Sequence, residues 1–503
     1  MKPHNHRKIR PPSASVNRRV RRRRLPSVRL PATLIFVRNI FQAVLVALCT
    51  TAFSIQAAVL EFRIDQDRLW LNAQNEPLSQ LLEHFAAAGI AVQIDPDAQK
   101  TITGSCQAAD IESALEKLLS PYNYLLDWQR ESGPLGELTR LTGIRVFRAG
   151  CAESVRPLRS ERRIETSFDG KSRFIAREIL VGFRPGSSIQ NLQAFLAHTG
   201  GTVISANTEL GIYRILLPEG TNVPDLVNQL GNEGSIAHSE PNYVYDVPGI
   251  KKFSPSIYSE KVSWAASSGI SPIAVAVLDT GLAPDDQLNR AVINSFDATH
   301  PDAALTSDDV GHGTLMAQLA AGLIDPYKNP TGEGVPVVAI KAFANDGYAD
   351  SFTLMNAMTY AVKTSSGPVS LSWGSETSSK FIEVAVQYAV SQGHPVFSAV
   401  GNENTGKPMY PAAYPGVTGV AASDGDRLAD YSNRGDFVDL IAPGSVGDSK
   451  GTSVATAYVA HIAALYMQHH PGITATETVA ALKTAAGPTG FLTEPAVKRL
   501  LAH

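Results

Sequence analysis

Apolar residues between Val59 and Phe147 recur twice with a helical period. Leu78, Leu81, Leu82, Phe85 and Ala86 share one face, and Ile111, Ala114, Leu115, Leu118 and Leu119 share another. Runs of β-forming residues accompany them at Ala91 to Ile94, Thr101 to Thr103 and Arg140 to Phe147. The pattern predicts a small α+β module in the order strand, helix, strand, strand, helix, strand. A second mixture begins at Glu178. Strands are expected at Glu178 to Phe183, Gly211 to Leu217 and Ser239 to Tyr245, with helices at Ile189 to Leu196 and Val223 to Leu230 between them, which fits a two-layer sandwich. Residues 151–176 are charged and irregular and read as a linker.

From Ile273 the pattern changes. Ile273 to Leu278 is continuously apolar, as a strand buried on both faces of a parallel sheet is, and the run stops at Asp279. Val337 to Ala342, Pro368 to Gly374 and Pro395 to Val400 read as further strands. Helical faces alternate with them at Leu354, Ala357, Met358, Ala361 and Val362, and at Phe381, Val384, Ala385 and Ala389. This alternation predicts an α/β domain with a doubly wound, mostly parallel sheet. Its major closing helix opens at Gly451-Thr452-Ser453, with Val454, Tyr458, Ile462 and Leu465 expected on one apolar face. The chain thus divides into a leader (1–58), an α+β module (59–150), a linker (151–176), a second α+β domain (177–250) and the α/β domain (251–503).

Composition and charge sharpen this division. With 503 residues, 44% of them hydrophobic, the chain can bury a large core spread over several domains. Residues 1 to 60 hold twelve Lys or Arg and no Asp or Glu, so against a formal net charge of -3 the remainder carries -15. An acidic body argues against nucleic acid as the partner of the Arg18 to Arg24 run. That run is followed by the apolar stretch Ile40 to Ala58 and by small residues, the order of a secretory signal, with cleavage expected near Ala57 or Ala58. The alternative is an inner-membrane anchor at residues 40–60, where membrane contact would be confined. Either reading places the folded domains outside the cytoplasm, in the periplasm or secreted. Cys49 falls within the leader, leaving Cys106 and Cys151, which are compatible with one disulfide and equally with two thiols.

Four residues carry candidate chemistry. Asp279 and Asn402 each follow a buried strand, where ligand sites of open α/β sheets lie. His312 stands between Gly311 and Gly313 at the head of an apolar helix, and the glycines allow other backbone to come close to the imidazole. Ser453 opens a helix whose unsatisfied amides favour developing negative charge. No His-Glu-x-x-His spacing supports zinc. An acid, an imidazole, an amide donor and a hydroxyl are the parts of nucleophilic acyl transfer, a chemistry that requires no cofactor.

These parts stand in Ala276-Val277-Leu278-Asp279-Thr280-Gly281, Gly311-His312-Gly313-Thr314, Ser372-Trp373-Gly374, Gly401-Asn402 and Gly451-Thr452-Ser453-Val454-Ala455, and in that order the domain resembles the subtilisin-like serine proteases, or subtilases. The resemblance implies Asp279, His312 and Ser453 as catalytic triad and Asn402 as oxyanion donor, in a chain order known for that family. It implies protein or peptide substrates pairing with the edge around Leu371 to Gly374, with Ser372, Trp373, Gly374 and Glu403 as binding residues. Glu403 and Asp308 are expected to favour basic groups, and a structural calcium is compatible with the family. Ile179 to Gly186, Leu210 to Tyr213 and Glu240 to Tyr243 resemble the propeptide of the same family, which implies an intramolecular inhibitor and self-cleavage around Tyr245 to Ser256. Leu78 to Leu82, Gly89 to Asp95, Ile102 to Gly104 and Ala114 to Leu119 resemble the short N-terminal domain of secretins and TonB-dependent receptors. This last likeness implies an envelope or secretion-system partner for residues 59–150.

The sequence departs from the subtilase pattern at Ala457, Gln318 and His461, where proline, glycine and glycine are usual. Loss of two glycines suggests that Gln318 and His461 face each other and hydrogen-bond. The competing function is a non-catalytic docking or assembly protein built on the same scaffold, which would have no need of an intact catalytic set.

Overall fold

The computed structural model describes residues 61–158, 162–247, 263–264, 273–301, 307–327, 332–364 and 367–502, except Gln66 and Asn232. The leader and most of the segment expected to be self-cleaved lie outside them. No helix among the described residues is long and apolar enough to cross a membrane.

The α/β domain is built on strands that are buried except at the outer edge, where Val292–Asp297 is largely exposed. Their order across the sheet is Val292–Asp297, Val337–Lys341, Val275–Asp279, Val369–Leu371, Val396–Ala399 and Val417–Asp424, all neighbours parallel. Arg427–Leu428 closes this edge antiparallel, and Leu440–Pro443 also pairs in parallel with Val417–Asp424. The chain leaves the Asp279 strand to build one side of the sheet and then returns to build the other, so Asp279 ends a strand beside the topological switch. Helices His312–Ala321 and Thr452–His469 pack together in the core on one face; Ser351–Thr364 and Lys380–Ser391 fill the other. The Ser453 helix departs from expectation. Residues 452 to 465 are buried on every side, because sheet, His312 helix and C-terminal helices enclose it.

The middle domain is an antiparallel sheet, Thr202–Asn207, Ile212–Leu216, Arg173–Phe183 and Ile236–Asp246 in spatial order, covered by helices Ile189–Thr199 and Val223–Leu230. Its last strand runs on to pair antiparallel with Tyr348–Asp350 of the α/β domain. The first module holds a three-stranded sheet (Glu61–Asp65, Arg68–Pro77, Thr101–Asp110) and a four-stranded one (Asn123–Gly133, Gly136–Phe147, Ala91–Ile94, Arg156–Leu158), with helices Leu78–Ala87 and Ile111–Leu119. It abuts the edge strand of the middle sheet, where Arg140 donates to the Ile204 carbonyl at 3.0 Å and the Ile64 amide to Thr202 Oγ1 at 3.3 Å. That contact shields an otherwise open edge.

One expectation is corrected here, and one open alternative is decided. The stretch read as a linker instead supplies Arg156–Leu158, which pairs with Ala91–Ile94, and Ile164–Thr166, which pairs with Arg173–Phe183. Short edge strands satisfy the backbone without the apolar periodicity that reveals longer ones. Cys106 and Cys151 are free thiols. Cys106 sits in the three-stranded sheet and donates to the Leu69 carbonyl, whereas Cys151 follows strand Gly136–Phe147 of the other sheet.

Middle and α/β domains meet through an apolar contact that buries Leu180, Ile212 and Tyr245, and through polar caps. The Glu240 carboxylate accepts from the amides of Lys380 (2.9 Å) and Phe381 (3.4 Å) and from the Ser379 hydroxyl, closing the start of helix Lys380–Ser391. Asn242 Oδ1 accepts from the Phe352 amide at 3.2 Å, in the first turn of Ser351–Thr364. Glu240→Ala should leave these buried donors unpaired and destabilise the full chain by about 1–3 kcal/mol. Amide hydrogen exchange at Lys380 and Phe381 should accelerate; unchanged exchange there would refute the capping role.

Candidate active site

Sheet geometry fixes Asp279. Its side chain is only 3% exposed, and Oδ1 accepts from the Thr280 amide at 2.8 Å and meets His312 Nδ1 at 2.6 Å. The imidazole is fully buried, and its Nε2 has no partner among the described residues. A ring whose Nδ1 hydrogen points at a carboxylate keeps Nε2 free to take a proton. Gly313 lets this helix approach: a Cβ there would lie 2.5 Å from the Gly281 carbonyl oxygen and 2.9 Å from the Thr280 nitrogen.

Asp308 braces the same turn. Its two carboxylate oxygens accept from Thr280 Oγ1 and the Gly311 amide, both at 2.8 Å, and from the amide (2.8 Å) and hydroxyl (2.6 Å) of Thr314. It is thereby committed to the fold and does not serve as a subsite for basic substrates, contrary to the sequence expectation. Lys341, in register with Asp279 on the adjoining strand, is 1% exposed and donates to the Thr280 carbonyl and to Asn345 Oδ1 at 2.8 Å. Burial pushes its ammonium below the ordinary lysine range, against the pull of Asp297, Asp308, Asp309 and Asp279. A lysine interrupting the apolar run Val337 to Ile340 was the available signal for this residue.

Ser453 lies in the first turn of its helix, where amides have no intrahelical acceptor. Its Oγ donates to the Ser372 carbonyl at 3.2 Å rather than to His312, and Ser372 Oγ returns a bond to the Ser453 carbonyl at 3.3 Å. Asn402 Oδ1 accepts from the Thr452 amide at 2.9 Å, which holds the amide group over the helix start; a Cβ on Gly451 would lie 3.4 Å from Asn402 Nδ2. Asn433, fully buried and missed in the sequence, organises this loop. Its Oδ1 accepts from the amides of Glu403 (3.1 Å) and Thr405 (3.0 Å), while Nδ2 donates to the Val400 carbonyl (2.9 Å) and to Glu403 Oε2 (2.8 Å).

Of the expected binding residues, Trp373 is buried against Phe343 and against Tyr245 of the middle domain, with ring centroids 5.9 and 5.8 Å apart. Gly374 continues this edge, and the neighbouring Ser375 and Tyr410 exchange backbone hydrogen bonds at 2.9 and 2.8 Å. Glu403 is exposed but turned to Asn433. Gln318 and His461 do not pair: Gln318 Nε2 donates to Asp285 at 3.0 Å and His461 Nδ1 bonds the Ala320 carbonyl at 3.1 Å. Each found a partner in a neighbouring loop or helix end. Burial pushes His461 down to about 4, so it is neutral at physiological pH.

The profile of the subtilase family matches residues 271–501, and that of the fervidolysin N-terminal prodomain matches residues 164–242. The thermophilic serine proteinase of Bacillus sp. (strain AK1) is 29% identical over 322 residues, which cover 59% of this chain and 79% of the relative. Subtilisin Savinase of Lederbergia lenta is 32% identical over 217 residues, covering 40% of this chain and 78% of the relative. The crystal structure of fervidolysin from Fervidobacterium pennivorans, a keratinolytic enzyme related to subtilisin, matches with a TM-score of 0.54 at 21% identity, a likeness of fold. That match covers 68% of this chain and 63% of fervidolysin, so the chain spans less than two thirds of its length. A relative 32% identical along 78% of its own length, together with the family match over residues 271–501, establishes that this chain belongs to the subtilase family.

Proposed function

We propose that this chain is an exported serine endopeptidase, made as a zymogen and processed by itself. The observation that carries the reading is the 2.6 Å bond from Asp279 to His312, which leaves a buried Nε2 unpartnered in a domain where the Ser453 helix packs on the His312 helix. Ser453 Oγ leaves the Ser372 carbonyl by a side-chain rotation, gives its proton to His312 Nε2 and attacks the scissile carbonyl. His312 then passes that proton to the leaving amine, and water repeats the sequence on the acyl-enzyme. Asp279 holds the tautomer and stabilises the imidazolium. Asn402 Nδ2 and the Ser453 amide receive the oxyanion; Asn402 carries no charge that would retain product. No step calls for a metal or cofactor.

The middle domain acts as propeptide. In support, its last strand pairs with Tyr348–Asp350 while Tyr245 fills the space at Trp373, so its tail occupies the cleft a substrate would need. Residues 1–58 serve as a cleaved signal, in keeping with their basic, apolar, small order, and the enzyme works in the periplasm or beyond the cell. The first module is a secretin-like docking piece for an envelope or secretion-system protein. The strand Asn123–Gly133 supports this role, because it is an outer strand of its sheet and can accept a partner strand.

Ser453→Ala should abolish both processing near residue 250 and casein hydrolysis, a loss of roughly 10⁴-fold or more; unchanged activity would reject the enzymatic reading. Asn402→Ala should lower kcat ~10²- to 10³-fold with little change in KM, the size known for the equivalent donor in subtilisin itself. A rise in KM at constant kcat would instead make Asn402 a ground-state binding residue.

A further inference from the structure

One carboxylate beside the cleft is matched by cations that depart with the prodomain. Asp350 ends strand Tyr348–Asp350 and is 3% exposed. Its Oδ1 accepts from the Thr353 amide at 2.9 Å, capping helix Ser351–Thr364 and fixing the side chain within the catalytic domain. Its Oδ2 accepts from Arg162 Nη1 at 3.0 Å and lies 3.9 Å from Arg214 Nη2. Arg214 is held in turn by Glu178, through bonds of 2.8 and 2.7 Å, and Glu178 by Asn242 at 2.7 Å. Burial opposes the charge on Asp350, yet Arg214 and Arg162 hold its carboxyl below the ordinary range. Both guanidinium groups belong to the part of the chain that processing near residue 250 would separate. Loss of that part leaves an oriented anion without its cations.

The prodomain tail also defines where a substrate would lie. Val244 is opposite Asp350, Tyr245 opposite Ala349 and Asp246 opposite Tyr348, and the Val247 amide donates to the Gly347 carbonyl at 3.0 Å. We propose that Asp350 selects substrates with an arginine or lysine at the position Val244 now holds, one residue before the side chain that enters the space at Trp373. This rests on the endopeptidase reading. Residues opposite each other across an antiparallel pair have Cβ atoms ~4.5–5.5 Å apart, well within reach of a guanidinium. Such a group would take the place of Arg162 on Oδ2 and restore the balance of charge. The competing account makes Asp350 a helix cap and nothing more, and that account predicts no preference among substrates.

The test uses processed enzyme and internally quenched peptides with the sequence of residues 242–256 and Tyr243 replaced by serine, so that Tyr245 alone sets the register. The position of Val244 carries arginine, citrulline or glutamate. Arginine should exceed its neutral isostere citrulline about three- to tenfold in kcat/KM, glutamate should fall below citrulline, and the spread should shrink at 1 M salt, where the Debye length is ~3 Å. Asp350→Asn, which keeps a capping side chain, should bring the arginine-to-citrulline ratio to about one. Equal cleavage of arginine and citrulline peptides by the unaltered enzyme would overturn the proposal, as would a ratio that survives in Asp350→Asn. Absence of cleavage of any peptide would overturn the endopeptidase reading and this one with it.

Discussion

A negative charge buried at the end of a strand is the constraint on which the rest of this site depends. Asp279 cannot move, because its strand is paired on both sides, and an unpaired carboxylate there would cost several kcal/mol. Neutralisation must therefore come to it. The Thr280 amide and His312 meet it directly, and Lys341 stands in register on the neighbouring strand. Bringing the imidazole so close forces two backbones together, which is why Gly313 has no room for a side chain. Asp308 then ties the two ends of this turn by bonding to both Thr280 and Thr314. The glycine-flanked histidine of the sequence is thus a consequence of where the acid sits.

A different shortage shapes the contact with the prodomain. Two helices of the catalytic domain begin beside the cleft, and their first-turn amides need acceptors. Ser379 and Asp350 supply part of the need from within. Asn242 and Glu240 supply more from the prodomain, on a strand that also extends the sheet by pairing with Tyr348–Asp350. The same face also buries Leu180, Ile212 and Tyr245 in one apolar cluster with Phe352, Trp373 and Phe381, so the contact combines polar caps, strand pairing and apolar burial.

Strong periodicity was legible and weak periodicity was not. The central strands of the α/β domain were visible as continuous apolar runs, but the longest buried one, Val417–Asp424, was not, because Thr418, Gly419 and Ser423 interrupt its apolar residues. Asp279, His312, Asn402 and Ser453 could be placed because each stands where such a run or helix ends or begins. The Ser453 helix was misjudged as one-sided because its alanines and small polar residues leave a weak moment even when all faces are buried. Strands Thr202–Asn207 and Asn123–Gly133 escaped notice, being mixed in composition and placed at sheet edges. Residues that act by bonding backbone, such as Asp308, Asn433 and Asp350, leave no periodic trace. Their roles depend on which turn folds over them, and that is decided by contacts distant in sequence.

The fate of the two missing glycines illustrates this dependence. Glycines at these two helix positions would allow close packing, and Gln318 and His461 ought to prevent it. The pair instead separates: Gln318 reaches out to Asp285, and the imidazole of His461 lies along the end of the His312 helix at Ala320. What makes room for it is Gly322, the left-handed residue that ends that helix, where a Cβ would lie 2.5 Å from the His461 ring. Gly322 satisfies two requirements at once, since only glycine adopts φ of +76° without strain and only glycine leaves that space empty. The need for a small residue between the two helices has moved by one turn, from their interiors to a cap. Close packing of the nucleophile helix against the histidine helix is therefore preserved by a different residue, with a buried neutral histidine as its filler.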